Sequence, residues 1–286
     1  MVIFGRTDLA SEAHAQWLQN AGAAAACEGV LARQETVNGL SVTAVEITSR
    51  KGEAALKKPI GRYYTLMLPS RFERGSAAFS GACEALAALL RRCLPHSDEA
   101  PVLIAALGNP DITPDALGSL AAESILVTRH LKRAMAADFA RFRSTALCRT
   151  GVLGTTGVES AEQILLLCRY LQPSCVIAVD ALAGSDPDTL CRCLQLCDSG
   201  LAPGSGVNNS RLRLSREQLG VPVLAVGMPT VIDAACFSKE QALSSYFVTP
   251  RDIDSQVRTA ARLIGFGIDL ALHPGLSVED LDLLLN

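Results

Sequence analysis

Four short apolar runs constrain the fold of this chain most tightly: VLIAAL at 102–107, SCVIAVDAL at 174–182, CLQLCD at 193–198 and VPVLAVG at 221–227. They lack the alternation of a strand with one wet face, and continuous apolar strands belong to parallel sheets covered on both sides. Between the first two lie PDALGSLAAESILVTRHLKRA and SAEQILLLCRYL, each read as one amphipathic helix. CLQLCD is read as a further strand of the same parallel set. Strands and helices that alternate in this way predict an α/β fold. The expectation is a mostly parallel sheet with helices on both faces, in three layers, over residues 101–286. A closing helix follows from residue 249, with Thr-Pro-x-Asp as its cap.

The first hundred residues have a different texture. Residues 11–26 are alanine-rich and read as a helix. LSVTAVEITS at 40–49 alternates and reads as a half-buried strand. KGEAALKKPIGRYY reads as a polar loop feeding a second strand, YTLMLP, and a helix follows at 75–93. Together they form an antiparallel elaboration of the core, so residues 1–286 are taken as a single domain.

Composition removes several functional classes. Of the 286 residues 49% are hydrophobic, which rules out general disorder. A net charge of −3 leaves no basic footprint for direct nucleic-acid binding. No run approaches the roughly 18 apolar residues of a membrane span. MVIFGRTDLASEAH turns polar too early for a signal peptide, so a cytoplasmic location is expected. The ten cysteines are scattered and read as reduced, buried packing residues. Cys191, Cys193 and Cys197 are placed on one strand face as packing, since no C-x-x-C pair accompanies them to form a metal site.

Ligands of open α/β sheets collect beyond the carboxyl ends of the strands. The segments there are LGNPDITPDALG, DALAGSD, DSGLAPGSGVNNS and GMPTVIDA. In the first, Thr113 can cap a helix, Pro114 suits its first position, and Asp115 falls in the first turn, an arrangement worth roughly 0.3–1 kcal/mol with the helix dipole. Asp111 is a turn former. Asp180 ends CVIAVD, where a carboxylate costs several kcal/mol unless it is paired or solvated in a cleft; the alternative is a cap on a following helix. If the strands of Leu107 and Val179 are neighbours, Asp115 and Asp180 face each other. Such a pair can share a proton and serve as base and acid, or hold a divalent metal between them.

PGSGVNN, with Gly204, Ser205 and Gly206, offers backbone N–H groups to an oxyanion but is neither G-x-G-x-x-G nor a Walker loop. With Thr113, Asn109 and Asp198, these residues form the expected substrate-binding set. A Ser-His or Cys-His hydrolase is not supported. There is no G-x-S-x-G, His130 lies about four turns from Asp115 along one straight helix, and His14, His96 and His273 lack metal-ligand spacing.

Several blocks carry a family resemblance: RTDLASEAH at 6–14, KKPIGRYYTL at 57–66, LGNPDITPDALG at 107–118, VTRHL at 127–131, VLGTTGVES at 152–160, VIAVDALA at 176–183, DSGLAPGSGVNNSR at 198–211 and LGVPVLAVGMPTVIDA at 219–234. In this order they resemble the germination protease family of spore-forming bacteria. The resemblance implies a cytoplasmic endopeptidase of the spore core that starts degrading small acid-soluble spore proteins, the DNA-coating proteins, when germination begins. It implies a fold similar to hydrogenase-maturation endopeptidases, whose site uses two acidic residues after strands.

The family's acidic pair falls on Asp115 and Asp180, and Asp111 drops out. No cofactor is implied, and the choice between an aspartic-type pair and a metal between the two stays open. Family members are tetramers made as zymogens, with a short N-terminal extension removed near RTDLA. This sequence departs in having only MVIFG before Arg6, Asn208 for a common glycine, Ala106 for another, and a compact length. Two further readings are a non-proteolytic binding or scaffold member of the fold and, by fold analogy, a phosphorylase-like enzyme.

Overall fold

The computed structural model describes residues 6–22, 25–70, 72–95, 100–202, 212–237, 243 and 246–285. Its strands are β1 (Val30–Val37), β2 (Leu40–Ile47), β3 (Gly61–Met67), β4 (Val102–Ala106), β5 (Thr145–Arg149), β6 (Cys175–Gly184), β7 (Cys193–Cys197), β8 (Val223–Asp233) and β9 (Phe247–Val248). Its helices are α1 (Ala10–Ala21), α2 (Arg50–Leu56), α3 (Ala77–Cys93), α4 (Leu117–Ala121), α5 (Arg129–Ala134), α6 (Leu153–Thr156), α7 (Ser160–Leu171), α8 (Arg216–Leu219), α9 (Ile253–Leu272) and α10 (Val278–Leu284). The strands form one sheet in the order β1-β2-β3-β7-β8-β6-β4-β5, with β9 paired to β8.

The fold class is as expected: β8, β6, β4 and β5 run parallel, and β1, β2 and β3 form the antiparallel extension. Against one face pack α3, α4, α9 and α10. The other face is covered by α7 and α8 beneath the parallel strands, and by α1 and α2 beneath the antiparallel ones. On the first face Phe79 of α3 meets Phe266 of α9 edge-on, with ring centroids 6.0 Å apart.

Several local expectations are corrected. β7 is antiparallel to both of its neighbours, β3 and β8. The connection from β6 is too short for the crossover a parallel return requires. Cys191 lies before β7, in the core beneath α3 and α9, whereas Cys197 packs in the core beneath α1 and α2. The three cysteines therefore do not share a face. Residues 50–56, expected as loop, form α2, whose first turn is capped by the Ser49 hydroxyl accepting from Gly52 N–H. β1, not expected at all, pairs with β2 across Asn38-Gly39. In α9, Asp252 occupies the cap position without a side-chain cap bond.

The segment 114–134 is also not one helix. It is divided into a 3-10 turn at Thr113–Asp115, then α4, a second 3-10 turn at Ala122–Ser124, an extended stretch, and α5. One contact fixes where α4 lies and another explains the break after it. Gly118 presses its backbone onto the strand ends, so that a Cβ there would lie 2.3 Å from Val179 O and 2.4 Å from Leu107 O. Further on, the Leu126 N–H donates to the buried Asp269 carboxyl at 2.8 Å, a bond that continuous helix would forbid.

Two outcomes follow. Gly118→Ala forces the new Cβ against two backbone carbonyl oxygens and costs about 1–3 kcal/mol in urea unfolding. Asp269 lies 3.9 Å from the ring of His273, one turn further along α9. Burial pushes the Asp269 carboxyl well above its usual range and lowers His273 to about 4. The folded protein therefore holds the Asp269 proton more tightly than the unfolded chain, and this group's contribution to stability declines as pH rises above the ordinary carboxylate range. Asp269→Asn keeps an acceptor for Leu126 N–H and has no proton to lose. It gains stability relative to the parent as pH is raised from about 4 to about 7, measured by urea unfolding at each pH; a difference independent of pH contradicts this.

Candidate active site

The first carboxylate is positioned by the end of β4. Leu107 N–H donates to Val179 O at 3.0 Å, carrying the β4–β6 pairing one residue beyond the strand. The chain then curls: Ile112 N–H bonds Asn109 O at 3.2 Å and Asp115 N–H bonds Ile112 O at 2.8 Å. The curl returns the Asp115 side chain to the strand end, where its Oδ2 accepts the Asn109 N–H at 2.8 Å. Gly108 leaves room for this, because a Cβ there would sit 1.9 Å from Asp115 O. Asp115 is half-buried.

The second carboxylate lies on the neighbouring strand. Asp180 directly follows Val179 and is 5% exposed, a low figure for a carboxylate. It does not end its strand, since β6 continues to Gly184. It stands instead where β4 leaves the sheet, level with Gly227 of β8, and its Oδ1 accepts the Ala181 N–H at 3.0 Å. Among the described residues no helix follows β6 before β7, so Asp180 is not a helix cap. Asp115 and Asp180 both line one cavity of ≈ 920 Å³ at the carboxyl ends of the parallel strands.

A family model described as germination protease matches residues 6–244. The chain belongs to the germination protease family. Named relatives agree. A germination protease of Caldanaerobacter subterraneus subsp. tengcongensis is 34% identical, covering 100% of this chain and 100% of its own. Those of Clostridium tetani and Bacillus cereus are 32% and 36% identical, covering 98% and 82% of this chain and 99% and 65% of their own.

The remaining residues expected at this family's site scatter. Thr113 does not cap the helix, since the cap position falls on Ile112; its hydroxyl instead donates to Asp254 Oδ1 at 2.7 Å. Asn109 contributes its N–H to Asp115, and its side-chain oxygen accepts Asp111 N–H at 3.0 Å. Asp198 is committed to Arg62, accepting from its Nε and its backbone N–H, each at 2.7 Å. That hydrogen bonding raises the Arg62 guanidinium above its ordinary value. Thr113, Asn109 and Asp198 are not among the residues lining the cavity. Gly204, Ser205 and Gly206 lie outside the described residues. His130 is exposed and away from the cavity. Among the described residues no group of three or more His, Cys, Asp or Glu side chains is arranged to hold a metal.

A cavity wall that sequence reasoning did not assign comes from the N-terminal segment. Asp8 exchanges two bonds with Ala183, giving its N–H to Ala183 O at 2.8 Å and accepting Ala183 N–H on Oδ2 at 2.9 Å. Gln195 of β7 reaches the same segment, accepting Ala10 N–H at 2.7 Å and donating to Asp8 O at 2.9 Å. Lys58 donates to Thr7 O at 2.7 Å and lies 3.9 Å from Asp8 Oδ1. Burial lowers the Lys58 ammonium from its ordinary value, and Asp8 opposes that shift. Cys197 also lines the cavity, but burial raises its thiol, which suits it poorly as a nucleophile.

The ion pair of Asp198 with Arg62 assigns Asp198 a role in joining β3 to the end of β7. Asp198→Ala is expected to lower stability by about 1–3 kcal/mol in urea unfolding while leaving KM for a protein substrate within about twofold of the parent. A raised KM with unchanged stability would return Asp198 to the substrate-binding set.

Proposed function

We propose that this chain is an endopeptidase that starts the degradation of small acid-soluble spore proteins during spore germination, with Asp115 and Asp180 as its catalytic pair. The observation that carries the reading is the opening of two carboxylates, one from the turn after β4 and one from within the adjacent parallel strand β6, onto one large cavity. Adjoining carboxyl groups do not ionise together easily, and in this proposal the pair holds one proton between its members. The ionised member takes a proton from water as that water attacks the scissile carbonyl, and the protonated member delivers its own to the departing amine. The apolar walls, Leu107, Leu182, Leu201 and Val226 among them, reduce competition from bulk water.

The family supports a peptidase acting in germination; the substrate and the acid pair are this proposal's additions. Assembly as a homotetramer, synthesis as a zymogen, a place in the spore core and one peptidase domain over 1–286 belong to the same proposal.

The test is cleavage of a purified small acid-soluble spore protein into defined fragments. Asp115→Asn and Asp180→Asn should each lower kcat/KM by about a thousandfold or more with thermal unfolding unchanged. The parent should show a bell-shaped pH dependence belonging to the pair as a unit. Parent-like cleavage by Asp180→Asn would sink the pair. Activity lost on chelation and restored by a divalent ion would replace the proton-sharing mechanism with a metal-dependent one.

A further inference from the structure

On the far side of the cavity from β4, strand β8 carries an irregularity beside the site. Its register with β6 passes from Leu182 opposite Pro229 to Ala183 opposite Val231. Thr230 is thus the extra residue of a bulge. Bulges insert one unpaired residue and re-aim a side chain, and they are over-represented next to active sites. Thr230 is 1% exposed and lines the same cavity as Asp115 and Asp180. Its hydroxyl donates to Pro114 O at 2.7 Å.

The acceptor gives this bond its meaning. Pro114 O and Asp115 N belong to one peptide unit, the unit that delivers the Asp115 backbone. Its N–H is held by Ile112 O at 2.8 Å and its carbonyl by Thr230. Both ends of a planar group are therefore fixed, and with them the direction in which Asp115 leaves the chain. Thr230 is fixed in turn, because Thr249 donates its hydroxyl to Thr230 O at 2.9 Å. The Asn109 N–H aims the carboxylate itself. A buried threonine whose only task was to satisfy its own hydroxyl could use any nearby acceptor. This one lies on a bulge and reaches across 116 residues of sequence to the peptide preceding a proposed catalytic carboxylate.

We infer that Thr230 is a positioning residue for the acid pair, acting through the Pro114 carbonyl to set how Asp115 faces Asp180. The inference rests on the proposed peptidase reading. The part assigned to Thr230 is to hold the turn, since its hydroxyl proton is given to Pro114 O. Its removal frees the 114–115 peptide to tilt, so the carboxylate loses alignment while the cavity that binds substrate keeps its walls. The loss falls on kcat and on the titration of the pair, and KM changes little. Misplacement by about an ångström costs up to about a hundredfold in rate.

The experiment compares Thr230→Val, which keeps the shape and deletes the hydroxyl, with Thr230→Ser, which restores it. Cleavage of a small acid-soluble spore protein by Thr230→Val should show kcat lowered by about 10–100-fold with KM within about twofold. Thr230→Ser should recover most of the rate. The second readout needs no activity: the Asp115 carboxyl carbon, titrated by NMR, should shift its midpoint by about half a pH unit or more in Thr230→Val and return in Thr230→Ser. If Thr230→Val does not fold, Thr230→Ala against Thr230→Ser makes the same comparison. Parent-like kcat and titration in Thr230→Val, or a serine variant as impaired as the valine one, overturns the inference. A parent chain that cuts no spore protein overturns the peptidase reading instead, and the Asp115 titration still decides the role of Thr230.

Discussion

The contact of the Gly118 backbone with Leu107, just beyond β4, and with Val179 of β6 is the constraint on which the site depends. Because no side chain intervenes, the turn after β4 lies directly on the strand ends. That proximity lets Asp115, leaving one strand, and Asp180, carried by the next, open onto the same cavity. The parallel pairing of β4 and β6 sets the level at which this happens, since Val179 accepts the last bond before β4 departs. With β4 gone, Asp180 faces the cavity in place of a neighbouring strand.

Around this contact the chain uses distant elements as braces. β8 holds the Asp115 turn through Thr230, α9 holds it through Asp254, and the N-terminal segment closes the cavity by binding Ala183 and Gln195. These bonds join residues more than a hundred positions apart. The cost of ordering such a site is met by the core beneath it, where α3 and α9 meet the sheet across a continuous apolar layer.

This difference in range explains what the sequence reveals. The parallel strands are legible because burial on both faces leaves an unbroken apolar run. That Asp115 and Asp180 come to one cavity is legible because each closes or follows such a run. The direction of β7 is hidden, since it depends on the length of the connection and not on composition. β1 is hidden because most of its side chains are exposed and carry no pattern; only Asn38-Gly39 marks the hairpin. The break between α4 and α5 is hidden because its cause, Asp269, lies far along the chain. The same applies to Lys58, Asp8 and Gln195, ordinary polar residues until folding brings them to one wall. The partner of Asp198 is hidden as well: its loop looks ligand-binding, and the bond to Arg62 joins residues far apart in the chain.

The cysteines have a consequence for handling the molecule. Burial raises the thiols of Cys93, Cys168 and Cys175 to about 11 and that of Cys191 to about 12. Thiolate is therefore scarce at these positions at neutral pH, and thiolate is the form that attacks alkylating agents and disulfides. At these four positions a chain rich in sulfur is chemically quiet, and maleimides and iodoacetamide are poor choices for labelling it there.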